Sequence, residues 1–343
     1  MTDAARLSEA AAGKLSWRSI NLSDVEQWHR LLKRMAAVDE PDWVETQEDL
    51  EHSLSSSKDN PQLDTVVGLD HEGSIRAFAL VTKNPGSTLL HGFGGVDPQW
   101  RGRGIGSALI EWQAVRGVER LAEDNAVEGV LRAYVEERNV GQKSLFTSDG
   151  GEVVRYFTEM TRPLGEELPD VPLAEGFEFV TFDERISDAV RRAHNDAFRD
   201  HWGSEPRDEE SWHFTVSHPE FKPDWSVAVV DTSSGEIAAY QMASHDAASA
   251  ERVGLREGYT ELLGVRRQWR GHRLAPALLV EAMRRFLEGG MDNAGLGVDT
   301  ENPSGALGLY ERLGYAATQC SLVFERRLTV QVPLLQYSDR ELQ

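Results

Sequence analysis

Eight positions written twice constrain this chain more than anything else in it. Gly95-Val96-Asp97-Pro98-Gln99-Trp100-Arg101-Gly102 and Gly264-Val265-Arg266-Arg267-Gln268-Trp269-Arg270-Gly271 share the core Gly-Val-x-x-Gln-Trp-Arg-Gly. Arg101 and Arg270 lie 169 residues apart in a chain of 343, so the repeat is a duplicated domain rather than a solenoid. Each copy follows an apolar run. Apolar positions at helical spacing come next: Ala108, Leu109, Trp112 and Val115 in the first copy, and Leu278, Leu279, Ala282, Met283 and Phe286 in the second. The pattern predicts, twice, a strand running through a tight loop into a helix. Such a junction aims unpaired N–H groups and the positive end of a helix dipole at one point, and that point suits a phosphate.

Two familiar phosphate loops are excluded. No Gly-Lys-Ser/Thr occurs, and a Gly-x-Gly-x-x-Gly reading from Gly102 ends on Ser107. What remains is Arg101-x-x-Gly104-x-Gly106 and Arg270-x-x-Arg273-x-Ala275. This resembles the acyl-CoA pyrophosphate loop of the GNAT N-acetyltransferase superfamily. The resemblance implies acetyl-CoA as co-substrate, held by Val96, Arg101, Gly102, Arg103, Gly104, Ile105, Gly106 and Ser107 in the first copy. In the second copy it implies Leu263, Gly264, Val265, Arg270, Gly271, His272, Arg273, Leu274 and Ala275. Arg273 stands where the first copy has a glycine. Either it obstructs close backbone approach, or its guanidinium reaches a phosphate, the reading favoured here.

A second motif follows only in the C-terminal half: Asn302, then Tyr310, then Gly314-Tyr315. By the same resemblance Asn302 lies against the pantetheine arm and Tyr310 near the thioester sulfur as general acid; the plain alternative is a tyrosine that anchors its helix to the core. The N-terminal half has Asn139 but Phe146 in the tyrosine's place, and a phenyl ring donates no proton. An alkyl amine of pKa about 10.4 is neutral to only about one part in 2500 at pH 7, a deficit of roughly 4.6 kcal/mol, so a base helps. Glu261, four residues before Val265, is the best-placed carboxylate, though an edge or loop glutamate reads equally well. By the same count its position in the first half is Gly92, beside His91, which alternation turns to the other face.

The remaining sequence sets the frame. Two domains of ordinary size fit the length, and 40% hydrophobic residues supply two cores. The expected division is 14–160, a proline-bearing linker 161–175, 176–328, and a tail 329–343, after a flexible leader of residues 1–13. The resemblance implies an α/β fold of two fused GNAT domains, each a mostly antiparallel central sheet in an α+β mixed arrangement, flanked by helices. A net charge of −21 excludes a nucleic-acid footprint. No apolar run reaches the length of a membrane span, and the N-terminus carries no secretory pattern, so a cytoplasmic protein is expected. Cys320, the lone cysteine, excludes disulfides and thiolate clusters, and the scattered histidines show no ligand spacing, so no metal is expected.

The acceptor expected from the resemblance is a primary amine of a small molecule. His201, Trp202, Glu205, Trp212 and His213 either cage it or pack a loop onto the core. The layout is similar to that of the mycothiol synthase group. The reading is therefore an acetyl-CoA-dependent N-acetyltransferase working by direct attack in a ternary complex. Its C-terminal half is catalytic, and the fused pair suits a monomer. The alternatives are a non-catalytic acyl-CoA-binding module, or catalysis in the N-terminal half.

Overall fold

The computed structural model describes residues 7, 15–41, 43–248, 250, 254–301 and 305–330. They form two compact units, one of residues up to 155 together with those from 321, the other of residues 156–320. The first holds β1 (Ser16–Arg18), α1 (Val25–Asp39), α2 (Gln47–Ser55), α3 (Pro61–Asp64), β2 (Thr65–Leu69), β3 (Ile75–Thr82), β4 (Leu89–Val96), α4 (Ile105–Glu123), β5 (Glu128–Glu136), α5 (Val140–Ser148) and the start of β6 (Glu152–Pro163). The second holds the rest of β6, then β7 (Phe177–Thr181), α6 (Glu184–Ala197), α7 (Glu209–Ser217), β8 (Val227–Asp231), β9 (Ile237–Ser244), β10 (Glu257–Val265), α8 (Leu274–Glu288), β11 (Asn293–Asp299), α9 (Ala306–Arg312) and the start of β12 (Ala316–Thr329).

Each unit has the same sheet. In the first, β1 to β4 pair antiparallel in order, β4 pairs parallel with β5, and Ser321–Thr329 of β12 runs antiparallel to β5. In the second, β7 to β10 pair antiparallel, β10 pairs parallel with β11, and Phe157–Pro163 of β6 runs antiparallel to β11. Membership of a unit thus follows pairing, not chain order. Thr161–Pro163, in the stretch expected as linker, is paired strand, and Leu164 and Val171 behind it are buried against Met160 and Phe286.

Both faces of β3 and β9 are covered, so these two strands are almost wholly apolar and buried. In β3, Phe78 and Leu80 face α1 with Trp28 and Leu31, while Ala77, Ala79 and Val81 face α4 with Leu109 and Trp112. In β9, Tyr240 and Met242 face α6 with Val190, and Ala239 faces α8 with Leu274 and Leu278. Asn21 caps the 3-10 turn Leu22–Asp24 that leads into α1, and Asp183 caps α6, each by accepting a backbone N–H. Among the described residues no helix is long and apolar enough to cross a membrane.

Candidate active site

The parallel strand pair at the centre of each unit opens like a V. Residues β4 and β5 pair only from Leu89↔Val130 to His91↔Arg132, and β10 and β11 only from Glu257↔Asn293 to Thr260↔Leu296. Beyond those points the strands diverge, and the freed backbone groups border a slot. The two slots differ. Pairing of β3 with β4 is regular, whereas β9 with β10 shifts register between Thr260 and Leu262. Glu261 is the extra residue of that bulge, exposed, with Ser244 Oγ donating to its Oε1 at 2.7 Å. Ser244 pairs with Tyr259, and Thr82 with His91, so Tyr259 answers to His91 and Thr260 to Gly92. Glu261 therefore has no counterpart in the first unit, and the match to Gly92 made by counting is corrected.

Each slot leads to its loop. Gly102 and Gly104 take φ of 71° and 80°, and Gly271 and Arg273 take 88° and 59°. Arg273 is thus held in the left-handed region that its glycine counterpart occupies freely, a strain of about 1–2 kcal/mol. It is exposed, and its guanidinium has no protein partner among the described residues. Cβ atoms built at Gly102, Gly104 or Gly271 meet nothing within 4 Å, so the cradle is open. The first intrahelical bonds are Ala108 N–H to Gly104 O and Ala277 N–H to Arg273 O. Ile105, Gly106 and Ser107 therefore offer N–H groups in the first loop. In the second, Pro276 replaces the third donor, leaving Leu274 and Ala275.

The arginine common to both copies is turned inward. Arg101 donates to Val96 O at 3.1 Å and to Asp39 at 2.7 Å, and Arg270 donates to Val265 O at 3.3 Å and Ala197 O at 3.1 Å. Each ties its loop to the end of the preceding strand and to the end of the first helix. Arg103 lies over Trp100 and bonds Gln99 O, His272 contacts Phe177, and Ile105 and Leu274 are the buried anchors of their helices. Gly264 is pressed against Tyr240, whose hydroxyl would lie 2.7 Å from an added Cβ. Leu263 packs with α8 and Tyr310, and Asn302 lies outside the described residues.

Tyr310 on α9 is buried in the cluster that holds Ala277, Val298 and Leu263, against the edge of Tyr315. Burial pushes its phenol up to about 12. Phe146 in the first unit stacks on Phe324 at 5.6 Å instead. Gln113 also enters that first slot, donating to Phe93 O at 2.7 Å and Leu80 O at 3.1 Å, whereas 169 residues on the chain has Ala282. What remains of the first slot is a recess with a cavity volume of only about 10 Å³, room for about one water, lined by Gly92, Leu131, Phe146 and Phe324 together with Asp149 and Glu325.

The model of the acetyltransferase (GNAT) family matches residues 23–150 and 187–315. The chain belongs to the GNAT acetyltransferase family. It is similar to the mycothiol acetyltransferase of Salinispora arenicola, 30% identical over 67% of this chain and 71% of that protein. In fold it is similar to a GCN5-related N-acetyltransferase from Sphaerobacter thermophilus, with TM-score 0.72, 24% identity, and coverage of 93% and 97%. It is also similar to a tandem GNAT protein from the clavulanic acid biosynthesis pathway, with TM-score 0.67, 17% identity, and coverage of 91% and 98%. The chain is an acyltransferase of two GNAT domains, and its activity is that of a GNAT acetyltransferase like the mycothiol acetyltransferases.

The sheet face on Glu261's side separates the two GNAT units further. In the second, β11 presents Gly295 and Gly297, and side chains from β10 and β6 lean over them. A Cβ at Gly295 would meet Glu257 Oε1 at 2.4 Å, and one at Gly297 would meet Glu159 Oε1 at 2.8 Å. Thr161 Oγ1 donates to Glu257 at 3.0 Å, and Tyr259 OH donates to Glu159 at 2.8 Å. Burial holds the Glu257 carboxyl above the usual range, and Glu159 adds to the rise. In the first unit the same positions are Arg132, paired with Glu325 at 2.6 Å, and Tyr134, stacked on His91. That face is filled. Sequence reasoning passed over this platform, although the Gly295-Leu296-Gly297 alternation within a strand was its signal. Of the expected acceptor cluster, Trp212 is core, its Nε1–H bonded to Ser187 Oγ at 3.0 Å, His201 rests on Phe198, and His213 is exposed. Among the described residues no three His, Cys, Asp or Glu side chains gather as a metal site.

Proposed function

We propose that residues 156–320 carry the transfer, moving an acetyl group from acetyl-CoA to the primary amine of a small molecule. Bound there, acetyl-CoA supplies an acyl carbon activated as a thioester. Leu274 and Ala275 N–H, with the free Arg273 guanidinium, hold its pyrophosphate in the open cradle, and Arg270 keeps the loop in shape. Glu261 takes the proton from the attacking amine as the carbon–nitrogen bond forms. Tyr310 gives its proton to the thiolate as the carbon–sulfur bond breaks. A thiol of pKa near 8.5 leaves fairly well unaided, so Tyr310 speeds this step without being indispensable. The freed N–H groups of the bulged strand face the carbonyl oxygen. The bulge at Glu261, present in one unit and absent from the other, is the observation that carries this reading. An acceptor akin to that of the mycothiol acetyltransferases is one candidate, and a cytoplasmic monomer is the implied setting.

A second acyl-CoA site in the first unit is favoured by its intact glycine loop with three helix-start donors. With no counterpart of Glu261 and with Phe146 where the second unit has Tyr310, that site binds and does not turn over. Calorimetric titration of acetyl-CoA into wild type, Gly104→Glu and Ala275→Glu tests both readings. Two sites in wild type, one lost in each variant, are expected. Loss of all binding in Gly104→Glu alone would mean that Arg273 obstructs its loop, and the assignment of catalysis to the second unit would fall.

A further inference from the structure

On Glu261's side of the second unit, Arg207 has no ion pair among the described residues. Arg185, Arg191, Arg192, Arg199, Arg266 and Arg267, on α6 and around it, are each paired with an aspartate. Arg207, in the segment between α6 and α7, is not. Its guanidinium donates to one side chain, Thr215 Oγ1 on α7, at 2.8 Å, and among the described residues no carboxylate forms an ion pair with it. Its backbone is fixed from two directions. Arg207 N–H donates to Asn195 Oδ1 at 2.9 Å, while its carbonyl accepts from Asn195 Nδ2 at 3.0 Å and Arg191 Nη1 at 3.3 Å. The residue is half-buried, and burial lowers the guanidinium's pKa while the Glu261 carboxylate acts in the opposite sense.

A half-buried guanidinium held in place without an ion pair is ready to take an anion. Its five donors suit a carboxylate taken edge-on. Nothing in the folding of α6 and α7 requires that charge. Val190, Ala193 and Trp212 supply the apolar contact, and Asn195 would hold the backbone of any residue at 207.

We propose that the acceptor is an amine that carries a carboxylate beside its reactive nitrogen, with Arg207 binding the carboxylate and Glu261 receiving the amine. The inference rests on the reading of Glu261 as base. The carboxylates of Glu159 and Glu257 on the neighbouring strands repel an anion, so Arg207 also sets which way round such a zwitterion lies. An amino acid or an amino-acid-like compound fits this pattern. A neutral amino sugar or a simple polyamine does not use it.

The test measures release of the CoA thiol from acetyl-CoA with three matched panels: α-amino acids, their amides, and the corresponding decarboxylated amines. Wild type is expected to favour the acids in kcat/KM by about 10- to 100-fold, the range of a hydrogen-bonded charge. In Arg207→Gln the ratio of acid to amide should fall to near one, mainly through KM, and Arg207→Lys should restore part of it. Equal use of all three panels by wild type overturns the inference and leaves the acetyltransferase reading standing. So does an unchanged ratio in Arg207→Gln. Should that variant fail to fold, the wild-type preference alone decides. Absence of turnover with every panel overturns this inference, and Glu261 is then judged by the pH dependence of its own variant.

Discussion

Glu261→Gln separates the chemistry from the scaffold. The side chain is exposed and is the extra residue of a bulge, and a glutamine keeps its length and still accepts the Ser244 hydroxyl that now lies at 2.7 Å. Little folding energy is at stake, and the proton acceptor is what disappears. A positioned general base contributes about 10²- to 10⁴-fold. The ionised amine sets a ceiling of roughly 4.6 kcal/mol at pH 7, and an exposed carboxylate is partly replaced by water, so a loss of about 100-fold in kcat/KM is expected. The pH profile carries the diagnosis. Without the base, the rate in the variant should climb about tenfold per pH unit toward the pKa of the amine, so the deficit shrinks below about tenfold near pH 10. Thiol release from saturating acetyl-CoA between pH 7 and 10 measures both. A variant within about threefold of wild type at pH 7, or a deficit equal at pH 7 and pH 10, would refute the role.

Two further outcomes follow from the same site. Tyr310→Phe should lower turnover while acetyl-CoA affinity, read by calorimetry, stays nearly unchanged. With its phenol at about 12, Tyr310 remains a proton donor and contributes no alkaline limb to kcat below about pH 11. His194, buried with Nδ1 2.6 Å from Tyr240 OH, is lowered to about 4 by burial and then by Arg207. The folded state therefore declines a proton that the unfolded chain accepts below about 6.5. Its contribution is complete above that pH and is lost as pH falls toward 4, on the order of 3 kcal/mol in all. Urea titrations across that window should show a slope that His194→Gln flattens by about one proton.

Both loops were legible because glycine and the Gln-Trp-Arg-Gly core specify backbone conformation directly. Left-handed φ at Gly102, Gly104 and Gly271 is what those residues are for. Glu261 was legible as a residue but not as a bulge. One inserted residue leaves an apolar strand looking like a strand, and only the pairing of Thr260 with Ala243 and of Leu262 with Met242 exposes it. Pro276 stood in plain view where the first copy has Ser107, yet its meaning depends on which helical position it holds. Arg207 was hidden because a sequence shows charges but not which of them lack a partner. The alternation of β6 and β12 suits either sheet, so nothing local in either strand announces which sheet it completes.

That last feature bears on how the protein is made. The first unit closes with Ser321–Thr329, yet its other strands lie before residue 155. During translation β5 must wait, its far edge unpaired, while about 190 more residues are added. At about 5–20 residues per second that interval is roughly 10–40 s. Through it the nascent chain presents a bare strand edge, the kind of surface on which other chains add. Neither half of the gene can then be cut away as a self-sufficient module, and a ribosome that stalls late releases a protein whose first domain, although fully synthesised up to β5, has never been finished.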